Sequence, residues 1–101
     1  MHPEIPSSSD RPRGAELRQL KGRAQLLEPV VKVGKAGLSP EFFTALDEAL
    51  TRHELVKVKF EHHKDQKKAL APEMAIRTDS HLIQRVGNVA ILYRRRPPLS
   101  E

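Results

Sequence analysis

Apolar positions in the first third of the chain fall at Leu17, Leu20, Ala24 and Leu27, a spacing that traces one stripe of a helix over residues 15–27. Arg18, Lys21 and Gln25 lie together on another face of it. Pro29 pushes the residue before it out of the helical region, and Val30-Val31-Lys32-Val33 then has the β-branched character of a short strand. Gly34-Lys35-Ala36-Gly37 interrupts that strand. A second helix starts at Leu38-Ser39-Pro40-Glu41, where Ser39 suits the N-cap, Pro40 the first helical position and Glu41 the positive end of the dipole. It is predicted to reach His53, with Phe42, Leu46, Ala49 and Leu50 inward, Phe43 at the edge, and Asp47, Glu48 and Arg52 facing solvent.

Leu55-Val56-Lys57-Val58-Lys59-Phe60 alternates strictly, so Val56, Val58 and Phe60 share one face of a strand and Leu55, Lys57 and Lys59 the other. Residues 64–78 are predicted helical, with Asp65 as N-cap and Leu70, Met74 and the aliphatic stem of Arg77 inward. Pro72 removes a donor and crowds the preceding turn, which predicts a bend or a shorter helix. Residues 81–86 and 89–95 read as two strands joined by Gly87-Asn88, a two-residue hairpin turn. That turn pairs Val86 with Val89, Gln84 with Ile91 and Leu82 with Tyr93 on one face, and Ile83 with Leu92 on the other. The order is α-β-α-β-α-β-β, an α/β class.

Length and composition bound this picture without identifying it. A chain of 101 residues that is 38% apolar and 31% charged supports one small core. Residues 1–13 hold three of the eight prolines, the run Ser7-Ser8-Ser9 and one aliphatic residue, and read as a disordered arm. Pro97 and Pro98 stop the last strand and begin a flexible tail over residues 97–101, leaving residues 14–96 as the domain. The chain has no cysteine, and neither a membrane-length apolar run nor a signal-like start, so a cytoplasmic protein is the expectation. A monomer is expected separately.

Candidate catalytic chemistry is sparse. His62 and His63 are adjacent, so in a strand they point to opposite faces, and no paired-histidine metal spacing occurs. Asp47 and Glu48 are consecutive on a helix and project about 100° apart, unsuited to a two-carboxylate site. No enzyme activity, metal or cofactor is expected. The Gly34-Lys35-Ala36-Gly37 segment differs because it lies between a strand and a capped helix, where backbone N–H groups converge on an anion. Its glycines let a sugar-phosphate backbone approach the main chain, and Lys35 adds a charge at the tip. It matches neither G-x-x-x-x-G-K-[ST] nor G-x-G-x-x-G, and alone its spacing also suits an ordinary tight turn.

Charge is segregated along the chain. The formal total is +5; residues 13–38 carry +4, residues 81–96 carry +4, and the capped helix at residues 39–53 carries −2. Aromatic residues are few, with Phe42, Phe43 and Phe60 on core faces and Tyr93 alone left to stack on a base. Binding led by phosphate contacts and shape is therefore expected over an aromatic platform.

Several separated blocks together resemble the CRM domain (chloroplast RNA splicing and ribosome maturation), in its bacterial single-domain YhbY-like form. They are Leu20-Lys21-Gly22-Arg23-Ala24, Pro29 through Ser39, Ala49-Leu50, His53 through Lys59, Val86-Gly87 and Leu92-Tyr93-Arg94. The resemblance spans about residues 15–95. It implies a four-stranded mixed sheet with three helices, similar to the C-terminal domain of translation initiation factor three. It also implies RNA binding and an association with large-subunit ribosomal precursors. The implied contacts are Gly34, Lys35, Ala36 and Gly37 with Lys32, Lys21, Arg23 and Arg94; the charge distribution, apart from the resemblance, adds Arg18, Arg95 and Arg96 to the expected footprint. Two positions depart from the family pattern: Pro72 falls within its regular third helix, and Asp79-Ser80 stands where a turn glycine is usual. The alternative is a protein-interaction module whose basic face serves only solubility.

Overall fold

Ser39 Oγ accepts the backbone N–H of Phe42 at 3.1 Å and Pro40 occupies the first turn, so the second helix begins where its local sequence places it. The computed structural model describes residues 11–95. In chain order these form α1 (Gly14–Gln25), β1 (Val31–Val33), α2 (Pro40–His53), β2 (Leu55–Phe60), a 3₁₀ turn (Lys64–Gln66), α3 (Lys67–Arg77), β3 (His81–Val86) and β4 (Val89–Tyr93). The expected element order holds. The sheet runs β1-β2-β4-β3, with β1 parallel to β2 and the other neighbours antiparallel, which makes it mixed.

Two cores lie on opposite faces of that sheet. Val31, Val33, Val56, Val58, Phe60, Ala90 and Leu92 face α2 and α3, which contribute Phe42, Leu46, Leu50, Ala71, Met74 and Ala75. Leu55, Ile83, Ile91 and Tyr93 face α1, which buries Leu20 and Ala24 against them. At about 1.5–3 kcal/mol for each large apolar side chain removed from water, the first face dominates the stability. Helix α1 is the lighter attachment, and it reaches β2 and β3 but leaves β1 outside its core.

Several local expectations are corrected. Helix α1 ends at Gln25, four residues before Pro29, where Leu26 donates back to Arg23 at 3.1 Å, and this leaves Leu27 38% exposed instead of on the stripe. Asp65 is not an N-cap; Gln66 donates to His63 O at 3.0 Å, so a 3₁₀ turn precedes a helix with no side-chain cap. Helix α3 covers less than residues 64–78, as Pro72 predicted, yet it runs through that proline, which is exposed and whose missing bond concerns the carbonyl of Lys68, also an exposed residue. Arg77 is exposed; its guanidinium lies 4.1 Å from the Phe43 ring centroid and pairs with Glu73.

At the end of α3, Ser80 donates to Ala75 O at 2.8 Å and Asp79 to Ile76 O at 3.3 Å, the double bond pattern of a Schellman cap. Asp79 takes φ 54°, the left-handed conformation a glycine usually supplies there. In the hairpin, Val86–Val89 and Gln84–Ile91 pair as predicted. An irregularity between Leu82 and Gln84 then shifts the register, so Leu82 meets Leu92 and His81 meets Tyr93. Strand β4 ends at Tyr93, before the two arginines. Most of the predicted arm, and all of the tail, lie outside the described residues. Of the arm's last three residues, Pro12 is fully buried and Arg11 donates to Leu82 O at 3.1 Å.

Candidate nucleic-acid interface

Strands β1 and β2 are parallel with Val33 beside Phe60, and the chain leaves β1 into Gly34-Lys35-Ala36-Gly37 at their common C-terminal end. Gly37 donates its N–H to Gly34 O at 3.0 Å, closing a four-residue turn with Lys35 and Ala36 exposed at its tip. Gly37 takes φ 71°, which a side chain would strain. Gly34 is outside that region, and a Cβ added there meets no atom within 4 Å. The turn therefore requires Gly37, whereas the bare Gly34 leaves an open approach to the main chain. Lys35 has no ion-pair partner among the described residues.

The segment after β2 supports this turn from below. Glu61 and His62 both donate to Val33 O at 3.1 Å, tying the end of β2 to the end of β1. His63 then takes φ 59° and ψ 34°, a left-handed reversal that carries its ring under the turn. Its Nε2 donates to the carbonyl of Lys35 at 2.8 Å, which places the ring proton on that nitrogen. The same nitrogen lies 3.6 Å from where a Gly37 Cβ would stand. Sequence reasoning weighed His63 only as a metal ligand. A contact across 28 residues has no signature in local spacing.

Basic side chains gather at this end of the domain. Lys32 projects from β1, 3.6 Å from Glu61, and its Cα partner Lys59 is exposed. Lys64 and Lys68 follow His63 and are exposed, and Lys67 donates to Asn88 Oδ1 at 2.9 Å. Phe60 donates to Asn88 O at 2.8 Å, which draws the β3–β4 turn to the same end. Lys59, Lys64, Lys67 and Lys68 lie outside the three charged segments, residues 13–38, 39–53 and 81–96, that stand out in the sequence. Residues 57–68 hold five lysines against Glu61 and Asp65, a signal present in the sequence.

Other predicted contacts are placed elsewhere. Tyr93 pairs with Leu55, at the opposite end of β2 from Phe60, so Arg94 and Arg95 stand about 17 Å along the strand from the turn. Arg94 faces inward: Nη1 donates to Asp47 Oδ1 at 2.7 Å and to Thr78 O at 2.8 Å, and Nη2 donates to Asp47 O at 3.1 Å and Thr51 Oγ1 at 2.9 Å. Arg95 grips Glu16 through bonds of 2.7 and 3.1 Å, and those bonds, with the charges of Arg95 and His81, hold the Glu16 carboxyl below its usual range. Tyr93 is buried beneath α1, with the Arg95 guanidinium 5.7 Å from its ring centroid, so it offers no stacking surface. Arg96 lies outside the described residues.

On α1, Arg18 and Arg23 are exposed and Lys21 is half-buried. Lys21 and Arg23 project about 160° apart around the axis, so the helix does not present them to one surface. The start of α2 is less suited to an anion than its position suggested. Ser39 takes the Phe42 N–H, and Glu41 and Glu48 line a shallow hollow there with Pro40, Thr44 and Ala45. Exposed lysines thus gather around the turn and not at the start of α2.

Residues 13–94 match the CRS1 / YhbY (CRM) domain model. A probable RNA-binding protein of Pseudomonas aeruginosa is 36% identical over 81 residues, which covers 79% of this chain and 78% of that one. The probable RNA-binding protein YqeI of Bacillus subtilis is 32% identical over 82 residues, covering 80% and 85%. The solution structure of a hypothetical protein from Staphylococcus aureus superposes with a TM-score of 0.70 at 29% identity, covering 83% of this chain and 88% of that one. No helix among the described residues is long and apolar enough to cross a membrane.

Proposed function

The chain belongs to the CRS1 / YhbY (CRM) domain family, and from that premise we propose that it is a non-catalytic RNA-binding protein that serves ribosome assembly. Its ligand is large-subunit ribosomal RNA in precursor form, met in the cytoplasm by a single copy of the chain. The observation that carries this reading is the Gly34-Lys35-Ala36-Gly37 turn, hydrogen-bonded by His63 at the Lys35 carbonyl and presenting Lys35 at the end of the domain where five further lysines gather. The names of the Pseudomonas and Bacillus relatives support the RNA assignment.

Mechanistically, capture is electrostatic and led by the RNA backbone. A phosphate approaches the main chain at Gly34, where no side chain stands in the way. Lys35 neutralises it, and the lysines that follow His63 extend the contact to neighbouring phosphates. Arg18, Lys21 and Arg23 on α1 form an outlying part of the footprint. Affinity then comes from released counterions, and selectivity from the fit of the basic end to folded RNA. Crosslinking in cells followed by sequencing of the bound RNA tests the role: large-subunit precursor sequences are expected. A population of messenger or transfer RNA would contradict the ribosomal assignment, and absence of crosslinked RNA would contradict RNA binding.

A further inference from the structure

We propose that the RNA backbone continues from the turn onto the open part of the α1-side sheet face, where Lys32 and Lys59 form a second phosphate-contacting track. This rests on the RNA-binding reading of the turn. Helix α1 covers Leu55, Ile83, Ile91 and Tyr93, and no residue of β1 enters that core. Val31 and Val33 point into the opposite core, which turns Lys32 outward with its side chain 58% exposed. Lys59 stands directly beside it in the parallel ladder, and Lys57 lies two residues back on the same face.

Neighbouring strands are about 4.8 Å apart, and like charges at paired positions destabilise a sheet. A lysine on an edge strand guards against pairing with another chain, and β1 is an edge. That accounts for Lys32 but not for Lys59, which belongs to β2, between β1 and β4. Lys57 has a structural duty, because its Nζ donates to Leu27 O at 2.9 Å just past the end of α1, and it marks the inner limit of the track. Lys59 has no ion-pair partner among the described residues, and Lys32 has Glu61 at 3.6 Å. Lys35 is three residues past Lys32, at most about 10 Å of chain, so the cationic run from turn to sheet is continuous. Phe42 and Phe60 belong to the opposite core and Tyr93 lies under α1. The track therefore suits the phosphodiester backbone and not stacked bases.

The test measures binding of a labelled RNA hairpin with a single-stranded flank across a salt series, for the full chain, Lys35→Gln, and the double variant Lys32→Gln/Lys59→Gln. Circular dichroism checks each fold, and the two single substitutions are read in the same way. The double variant is expected to lower affinity about tenfold or more at low salt and to flatten the slope of log affinity against log salt by about one to two. Lys35→Gln flattens it by about one independently, and Glu61→Gln tightens binding by freeing Lys32. If the double variant binds with the wild-type slope while Lys35→Gln weakens binding, the track is overturned and the turn reading stands. If the full chain fails to bind the hairpin, or neither change alters binding, both fall together.

Discussion

The imidazole of His63 donates from Nε2 to the carbonyl of Lys35 at 2.8 Å, so a residue in the corner after β2 sets the shape of the turn after β1. Both segments are also anchored to Val33, through Glu61 and His62 on one side and direct chain continuity on the other. In the proposed binding mode His63 acts through the backbone of Lys35 and touches no phosphate itself. Its replacement by alanine removes one hydrogen bond, worth about 1 kcal/mol net to the turn, and is expected to weaken RNA binding by at most about fivefold. The slope of log affinity against log salt is expected to stay at the wild-type value, since no phosphate contact is lost. A slope reduced by about one, read by fluorescence anisotropy, would make His63 a direct contact instead.

The two loop glycines separate folding from binding. Gly37→Ala places a Cβ at φ 71° and is expected to lower stability by about 1 kcal/mol or more, measured by urea melts. Gly34→Ala meets open space and should change stability by less than about 0.5 kcal/mol while weakening RNA binding. Undiminished affinity in Gly34→Ala would show that RNA does not approach the main chain there.

Arg94 is expected to be a stability residue first. Its side chain is 16% exposed and joins the end of β4 to Asp47 and Thr51 on α2 and to Thr78 O. Arg94→Ala should cost about 2–3 kcal/mol, and Arg94→Lys should recover little of it, because an ammonium cannot serve this set of diverging acceptors. RNA affinity measured well below the melting temperature should remain. Lost binding in a variant with wild-type melting would return Arg94 to the RNA interface.

Glu16 links stability to pH. Its carboxyl titrates below the ordinary value of 4.5, chiefly through its hydrogen bond from Arg95. The stabilisation is therefore present above the unfolded-state value and is lost as pH falls through the lower folded-state value. The pair is partly exposed and screened by solvent, so Glu16→Gln should cost less than about 1 kcal/mol at neutral pH. The difference between the urea melts of the two proteins should shrink as pH falls from neutral through the lowered folded-state value and vanish below it. A gap that persists there would assign the effect to packing.

The elements legible in the sequence are those whose causes are local. Ser39-Pro40 specifies the start of α2 within four residues, and the alternation around Val56, Val58 and Phe60 specifies a strand with a buried face. The turn glycines were legible for the same reason. Features that depend on tertiary packing were not. The shift at Ile83 arises because that side chain joins Leu20, Leu55 and Ile91 under α1, which the hairpin turn alone does not determine. His63 is set by a left-handed backbone and a distant carbonyl. Arg94 reads as part of a basic run, yet its partners come from α2 and the end of α3. Summed charge gave the wrong emphasis because it treated exposed and inward-facing arginines alike.

The central claim is that RNA is captured through phosphate contacts at the Gly34-Lys35-Ala36-Gly37 turn. The most direct measurement is RNA affinity as a function of salt for the wild-type chain and Lys35→Glu, with melting temperature recorded for both. Contact with about four to six phosphates gives the wild type a slope of roughly −3 to −5. Lys35→Glu should weaken binding at every salt concentration and flatten the slope, with melting nearly unchanged. A wild-type slope near zero, or a Lys35→Glu protein that binds as tightly as the wild type, would contradict the account.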